Sequence, residues 1–244
     1  MSGANMNDSF TEDLKARIMG LGANLVGVAD TEPLRELQVH PSNLLDPFRR
    51  AVSIGVVLPR AVFQQIVDRP TPTYCSVYRT ANRFLDQMAL VTANLLERDG
   101  FNSLPVPASQ TVDLENHRAA ISHKAVGRMA GLGWQGKSLL LVNPKYGPRM
   151  RLVTVLTDAP LAADHPIENR CGDCTSCVHA CPAGAIRGVG TEDHYSSREE
   201  AVDLQRCLAQ LGEFMRLPGI TDTVCGLCIK ACPYGGRATG SDFR

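Results

Sequence analysis

The sequence carries no surplus of charge: 25 Lys and Arg stand against 25 Asp and Glu over 244 residues. Without a basic excess or a Lys/Arg-rich tract, nothing in it demands a polyanionic partner. It also lacks long apolar runs. AVSIGVVL (51–58) and SLLLV (138–142) fall well short of the ~20 residues a membrane-crossing helix requires. The opening MSGANMNDSFTEDLK has no basic region, apolar stretch or twin arginine of the kind that marks an exported chain. The expectation is therefore a cytoplasmic protein with no membrane contact. Aromatic residues are scarce at 5%, yet 44% apolar and 20% charged residues allow a sizeable core and exclude wholesale disorder. There is no internal repeat and no low-complexity tract.

What is present divides at about residue 160. Before it, helical and strand patterns alternate. Ser9 and Glu12 have the form of a capping box, with Leu14, Ile18 and Leu21 following at helical spacing until Gly20 and Gly22. NLVGVAD (24–30) and AVSIGVVL (51–58) read as buried strands, joined by a loop rich in Pro and Asn. Phe84, Met88, Val91 and Leu95 recur at steps of four, three and four, which predicts an amphipathic helix from Tyr78 to Arg98 closed by Gly100. A helix over 122–130 and strands over 138–142 and 151–158 complete an α/β (α+β) layered domain spanning 1–162. Residues 163–244 form a second domain, dense in Cys, Gly and Pro, too small to build much core of its own. Bound metal is the expected substitute.

Eight of the nine cysteines lie in that second domain. Cys171, Cys174, Cys177 and Cys181 stand at C-x2-C-x2-C-x3-C followed by Pro182, the run of bacterial two-cluster ferredoxins. Two-residue gaps bring three thiolates of one tight turn onto the same cubane, while the fourth, behind the proline turn, faces the other. A second run, Cys225, Cys228 and Cys232 with Pro233, repeats the later half and lacks an upstream cysteine, which Cys207 supplies from a distance. Two four-iron clusters result: Cys171, Cys174, Cys177 and Cys232 on one, and Cys181, Cys207, Cys225 and Cys228 on the other. Paired four-cysteine zinc sites are the alternative. Cys75 is left over and reads as a buried, inert thiol. Two adjacent clusters make an electron wire, so the larger first domain is where its redox partner is expected.

Within that domain, Gly131, Gly133 and Gly136 surround Trp134 and permit close backbone approach. The literal G-x-G-x-x-G is not a nucleotide loop, because a helix precedes it and a strand follows. The succession A-G-L-G-W-x-G-K, Y-G-P-x-x-R, T-D-x-P-L and the two-cluster run resembles the cobalamin-dependent epoxyqueuosine reductase and reductive dehalogenase superfamily, over about Leu14 to Tyr234. The resemblance implies a nitroreductase-like first domain holding a base-off corrinoid (cobalamin), fed by two [4Fe-4S] clusters from an external electron donor such as a ferredoxin, flavodoxin or reductase.

It also assigns Gly131, Leu132, Gly133, Trp134, Gly136 and Lys137 to the corrinoid-side wall, with Tyr146, Gly147 and Arg149 nearby and Tyr78, beside Tyr74, at the start of the long helix. The plain alternatives are a solvated Lys137 and a Trp134 that is ordinary core. Where epoxyqueuosine reductases place a catalytic aspartate, alignment through His123 and Lys124 brings His117 instead, with Asp113 and Glu115 close enough to substitute. Members of that family extend into a helical-repeat region that helps hold transfer RNA, whereas this sequence stops eleven residues after Pro233. The leading expectation is a corrinoid iron–sulfur reductase of a small organic substrate. The rivals are a transfer RNA epoxyqueuosine reductase, an electron-transfer protein without corrinoid, and a flavin in the corrinoid's place.

Overall fold

The computed structural model of the chain describes residues 6–235. In chain order the elements are α1 (Met6–Gly20), β1 (Leu25–Asp30), a 3-10 turn (Glu32–Glu36), β2 (Arg50–Val57), α2 (Arg60–Gln64), α3 (Pro72–Arg98), β3 (Ser103–Val106) and α4 (His123–Met129). They continue with β4 (Trp134–Gln135), β5 (Leu141–Val142), β6 (Met150–Thr157), α5 (Ser176–His179), α6 (Arg198–Ala201), α7 (Leu204–Met215) and α8 (Leu227–Ala231). Among the described residues no helix is long and apolar enough to cross a membrane.

Two compact units emerge. The first contains the chain up to Val56, Ala81–Leu132 and Arg151–Ile167; the second contains Val57–Thr80, Gly133–Met150 and the chain from Glu168. This division differs from a single boundary at 162. Residues 57–80 and 133–150 group with the cysteine-bearing segment because their side chains serve it, as shown below.

The first unit is built on a four-stranded sheet of order β1-β2-β6-β3. β1 and β2 run antiparallel with Leu25 opposite Gly55, and β3 and β6 antiparallel with Ser103 opposite Thr157. β3 is missing from the sequence expectation, since Pro105 and the single buried Val106 give it no strand signature. β6 is buried along nearly its whole length, the mark of a strand covered on both faces. Leu14 and Ile18 of α1, Val52 and Ile54 of β2, and Val153 and Val155 of β6 meet Leu85, Met88, Ala93 and Leu96 of α3 in one core. Each large side chain so buried contributes roughly 1.5–3 kcal/mol.

Two details depart from expectation. α1 starts at Met6, so Ser9 lies inside the helix and is not its cap. The buried stripe of α3 follows Leu85, Met88, Ala89, Thr92, Ala93 and Leu96, leaving Phe84 and Val91 exposed at 37% and 40%. Small alanines let the helix settle close to the core on that face, which counting only large apolar residues overlooks. α4 begins as expected, with Ser122 at its N-cap accepting from the amide of Ala125.

In the second unit the regular elements are short. The expected strand over 138–142 reduces to β5, paired antiparallel with β4 so that Trp134 faces Val142. Ala185, Ile186, Tyr195, Ala201 and Val202 form a small buried cluster, and Cys177, Cys181, Cys207 and Cys228 pack against it.

Candidate metal centre

Each cysteine is placed by local backbone chemistry. Cys171 and Cys174 close one turn, with the Cys174 amide donating to the Cys171 carbonyl at 3.0 Å. α5 carries Cys177, and the Cys181 amide bonds back to the Val178 carbonyl at 3.2 Å before Pro182 ends the run. Cys207 rides on α7, which Asp203 caps by accepting from the Arg206 amide. Cys225 and Cys228 flank Gly226, whose φ of 82° lies in the left-handed region and where a Cβ would press on Ile66 and Tyr74. α8 then carries Cys228, and Cys232 closes it ahead of Pro233.

The fold brings Cys171, Cys174, Cys177 and Cys232 to one small recess, lined also by Lys137 and Tyr234. Cys232 thus sits with the first run although its sequence neighbours belong to the second. Cys228 feels Cys225, Cys207, Cys181 and also Cys177, while Cys225 feels Cys207 and Cys181, so the other four gather beside the first set. Among the described residues, no group of three or more His, Cys, Asp or Glu side chains is gathered tightly enough to hold a single metal ion.

Burial dominates the electrostatics. It pushes the Cys228 thiol up to about 12 and Cys232 up to about 11, and raises Cys177 and Cys225, with the neighbouring thiols adding to the effect. Cys174 moves the other way, held down by hydrogen bonding to Ser176. Crowded thiols in such a place keep their protons until a metal supplies positive charge, so assembly of a metal centre releases protons.

Trp134, only 1% exposed, turns its indole Nε1 toward Cys171 Sγ at 3.4 Å and meets Tyr234 edge-on at 4.8 Å between ring centres. Lys137 is 6% exposed and donates to the carbonyls of Gly172 at 2.7 Å and Cys174 at 3.1 Å. At Gly136 a Cβ would press on Val142 and approach Cys171 Sγ. Trp134, Gly136 and Lys137, which the resemblance assigns to the corrinoid wall, therefore brace the first cysteine set. Lys137 is no solvated charge and Trp134 no anonymous core.

Other supports carry no motif. Asn169 Oδ1 accepts from the Cys171 amide, and its Nδ2 donates to the Gln135 carbonyl. The Tyr195 hydroxyl donates to Val189 O at 2.6 Å and is pushed up to about 12 by burial, then by Cys171 and Cys177.

The remaining expected residues are dispersed. Gly131 and Leu132 belong to the first unit, where a Cβ on Gly131 would strike the His165 carbonyl. Gly133 abuts the Val142 carbonyl, and Gly147 the Tyr234 carbonyl. Arg149 Nη1 donates to Leu58 O at 2.7 Å, and its guanidinium carbon lies 5.8 Å from the centre of the Tyr146 ring. Tyr78 packs edge-on to Tyr74 at 6.5 Å. Cys75 is fully buried and its sulfur accepts from the Thr221 amide at 3.3 Å.

His117 and Asp113 lie on a loop and line no described cavity. His117 is exposed with φ 50°. Asp113 clasps the Asn116 amide and side chain at 2.9 Å, which holds its carboxyl below the usual range. His123, in contrast, is pushed down to about 4 by burial and bonds Thr154 Oγ1 at 2.8 Å and Pro107 O at 2.9 Å.

The segment 170–235 matches the model of the 4Fe-4S double cluster binding domain. Over 81% of its length the chain is 29% identical to an epoxyqueuosine reductase of Vibrio cholerae, covering 53% of that protein. The same identity holds against the Escherichia coli epoxyqueuosine reductase, over 85% of the chain and 55% of the relative. The chain is thus similar in sequence to epoxyqueuosine reductases. It spans about half the length of these curated relatives.

Among solved structures, a catabolic reductive dehalogenase in complex with 3-bromo-4-hydroxybenzoic acid superposes with a TM-score of 0.72 at 21% identity, over 97% of this chain and 33% of the dehalogenase. An epoxyqueuosine reductase with an epoxyqueuosine-modified transfer RNA stem loop gives 0.61 at 23% identity, over 93% of this chain and 65% of that one. At such identities these likenesses establish a shared mixed α/β fold. The double-cluster match decides between iron–sulfur and zinc in favour of two [4Fe-4S] clusters.

Proposed function

We propose that this protein is a corrinoid-dependent iron–sulfur reductase in which an external donor's electrons pass through two [4Fe-4S] clusters to a base-off corrinoid that reduces an organic substrate. The observation that carries the reading is the crossover of cysteines: Cys232 lies with Cys171, Cys174 and Cys177, and Cys181 lies near Cys207, Cys225 and Cys228. Thiolates exchanged between two runs set their clusters side by side, the arrangement a one-electron relay needs.

The chain's own groups prepare the relay. Eight thiolates bind the iron, Trp134 donates to a ligating sulfur, and Lys137 fixes the loop from Gly172 to Cys174 while holding a positive charge beside it. Hydrogen bonds to ligand sulfur and burial are the levers by which a protein sets such potentials.

Support for a corrinoid comes from the reductive dehalogenase neighbours, one of them titled for B12-dependent dehalogenation. Of the residues assigned to it by resemblance, Arg149 lines a cavity that also exposes Cys232 and Tyr234. That lining suits the polar periphery of a corrinoid, and when bound the cofactor supplies the low-valent cobalt chemistry that no side chain offers. The test is anaerobic addition of cobalamin to cluster-loaded protein. A saturable change in its visible spectrum is expected, and absence of any change under strict anoxia overturns the corrinoid.

A second reading keeps the enzyme and makes the substrate epoxyqueuosine in transfer RNA. The names of the curated relatives favour it. Anaerobic assays with a modified stem loop and with halogenated phenols decide between the two: conversion of the stem loop alone establishes the second reading.

A further inference from the structure

We propose that residues 187–201 form a closed loop, latched by Tyr195, which shields the first cluster from oxidants carried by the solvent. The segment runs between Cys181 and Cys207, two ligands assigned to the second cluster, yet its contacts are with the surroundings of the first. Its ends meet. Ile186 pairs antiparallel with Val202, the Arg187 amide donates to Ala201 O at 2.8 Å, and the Asp203 amide donates to Ala185 O at 2.8 Å. A surface loop with a closed neck and an interior packed by its own side chains is an Ω-loop, a type that frequently carries function.

The interior is Tyr195. Only 7% exposed, it packs with Ala185, Ile186, Ala201 and Val202, the cluster on which Cys177 and Cys181 also rest. Its hydroxyl donates across the loop to Val189 O at 2.6 Å, and its amide donates to Gln135 Oε1 at 3.0 Å. The thiols close enough to act on the ring through charge are Cys171 and Cys177, both of the first set.

Two further contacts lie on the same side. A Cβ on Gly190 would meet Lys137 Cε at 3.8 Å, and one on Gly188 would meet Val178 at 3.3 Å. Lys137 braces the Gly172 and Cys174 carbonyls, and Val178 follows Cys177. Glu192, Asp193, His194 and Ser196 are exposed, so the loop turns an apolar inner side to the cysteines and a polar outer side to water. The apolar shell around a metal site governs solvent access to it.

The chemistry held off is oxidative. Dissolved oxygen takes one electron from a resting four-iron core and leaves as superoxide; the oxidised core then sheds one ferrous ion and becomes a three-iron core. The inference rests on the two clusters and not on the corrinoid, so failure of cobalamin to bind leaves it standing.

The test exposes the full chain, carrying both clusters, to air-saturated buffer for set times, then re-reduces it and quantifies each cluster by electron paramagnetic resonance. The signal shifted by Trp134→Phe marks the first cluster. Tyr195→Phe keeps the ring and removes the latch to Val189. It is expected to speed loss of the first cluster on the order of fivefold, with the second unchanged and amide exchange raised over residues 188–196. Gln135→Leu, which frees the Tyr195 amide instead, is expected to give the same pattern and decides the matter if Tyr195→Phe does not fold. Equal acceleration for both clusters shows a general loosening and overturns the shield. Raised exchange with oxygen sensitivity unchanged, or no change in either measurement, also overturns it.

Discussion

The indole Nε1 of Trp134 donates to Cys171 Sγ at 3.4 Å, across 37 residues of sequence. The chain's only tryptophan is thereby a partner of the first cysteine set. An N–H group aimed at a ligating sulfur favours the more negative, reduced state of a cluster. Trp134→Phe keeps the bulk against Tyr234 and removes the donor, so the first cluster's reduction potential falls by tens of millivolts with the second unchanged. Redox titration followed by electron paramagnetic resonance checks this. Equal movement of both clusters, or of neither, contradicts it.

Lys137 adds charge to the same site. Lys137→Gln keeps a donor for the Gly172 and Cys174 carbonyls and loses the positive charge, so the first cluster becomes harder to reduce by a margin comparable to or larger than that of Trp134→Phe. Lys137→Arg restores the potential. Failure of arginine to restore it, with iron content intact, shows that the lysine acts only as a staple.

Iron is expected to tie the cysteine-bearing segment of the second unit together. A small apolar cluster there packs directly on four cysteines, and burial favours the protonated thiols once the metal has gone. Chelation under reducing conditions therefore raises amide exchange across residues 168–235 while the first unit's sheet keeps its protection. The measurement is exchange mass spectrometry before and after chelation. Unchanged protection of 168–235 speaks against the metal's structural role.

His123 remains neutral far into the acid range. Its folded value near 4 lies below the ordinary 6.5 because burial penalises the charged ring. Between pH 6.5 and 4 the unfolded chain therefore binds the extra proton, and stability contributed by neutral His123 is intact above 6.5 and lost progressively toward 4. The full loss is on the order of a few kcal/mol. An NMR titration shows the His123 ring unprotonated at pH 5. A midpoint near 6.5 contradicts its burial.

Much of this was legible in the sequence and some was not. Spacing alone proposed the sharing of Cys232 with Cys171, Cys174 and Cys177, because thiolate runs of fixed gaps constrain what one turn can reach. The sheet strands β1, β2 and β6 were legible because continuous β-branched runs have few other uses. β3 was not, being short, edge-placed and interrupted by Pro105. The face of α3 was misjudged by one position because alanines carry part of its buried stripe. The A-G-L-G-W-x-G-K motif announced close packing, yet only coordinates show its latter half turned to the cysteines, since a motif records which residues recur and not what they touch. Asn169 and Tyr195 left no signal at all: each acts through hydrogen bonds to backbone groups that no residue spacing announces.

The crossover of Cys232 is tested most directly by electron paramagnetic resonance of reduced, anaerobically prepared Cys232→Ser protein, with the Trp134→Phe signal as the marker of the first cluster. The cluster signal lost or altered by Cys232→Ser is predicted to be the one that Trp134→Phe shifts, with the other intact. If Cys232→Ser instead removes the signal that Cys225→Ser and Cys228→Ser remove, and the tryptophan-sensitive one survives, the assignment of the two clusters is wrong.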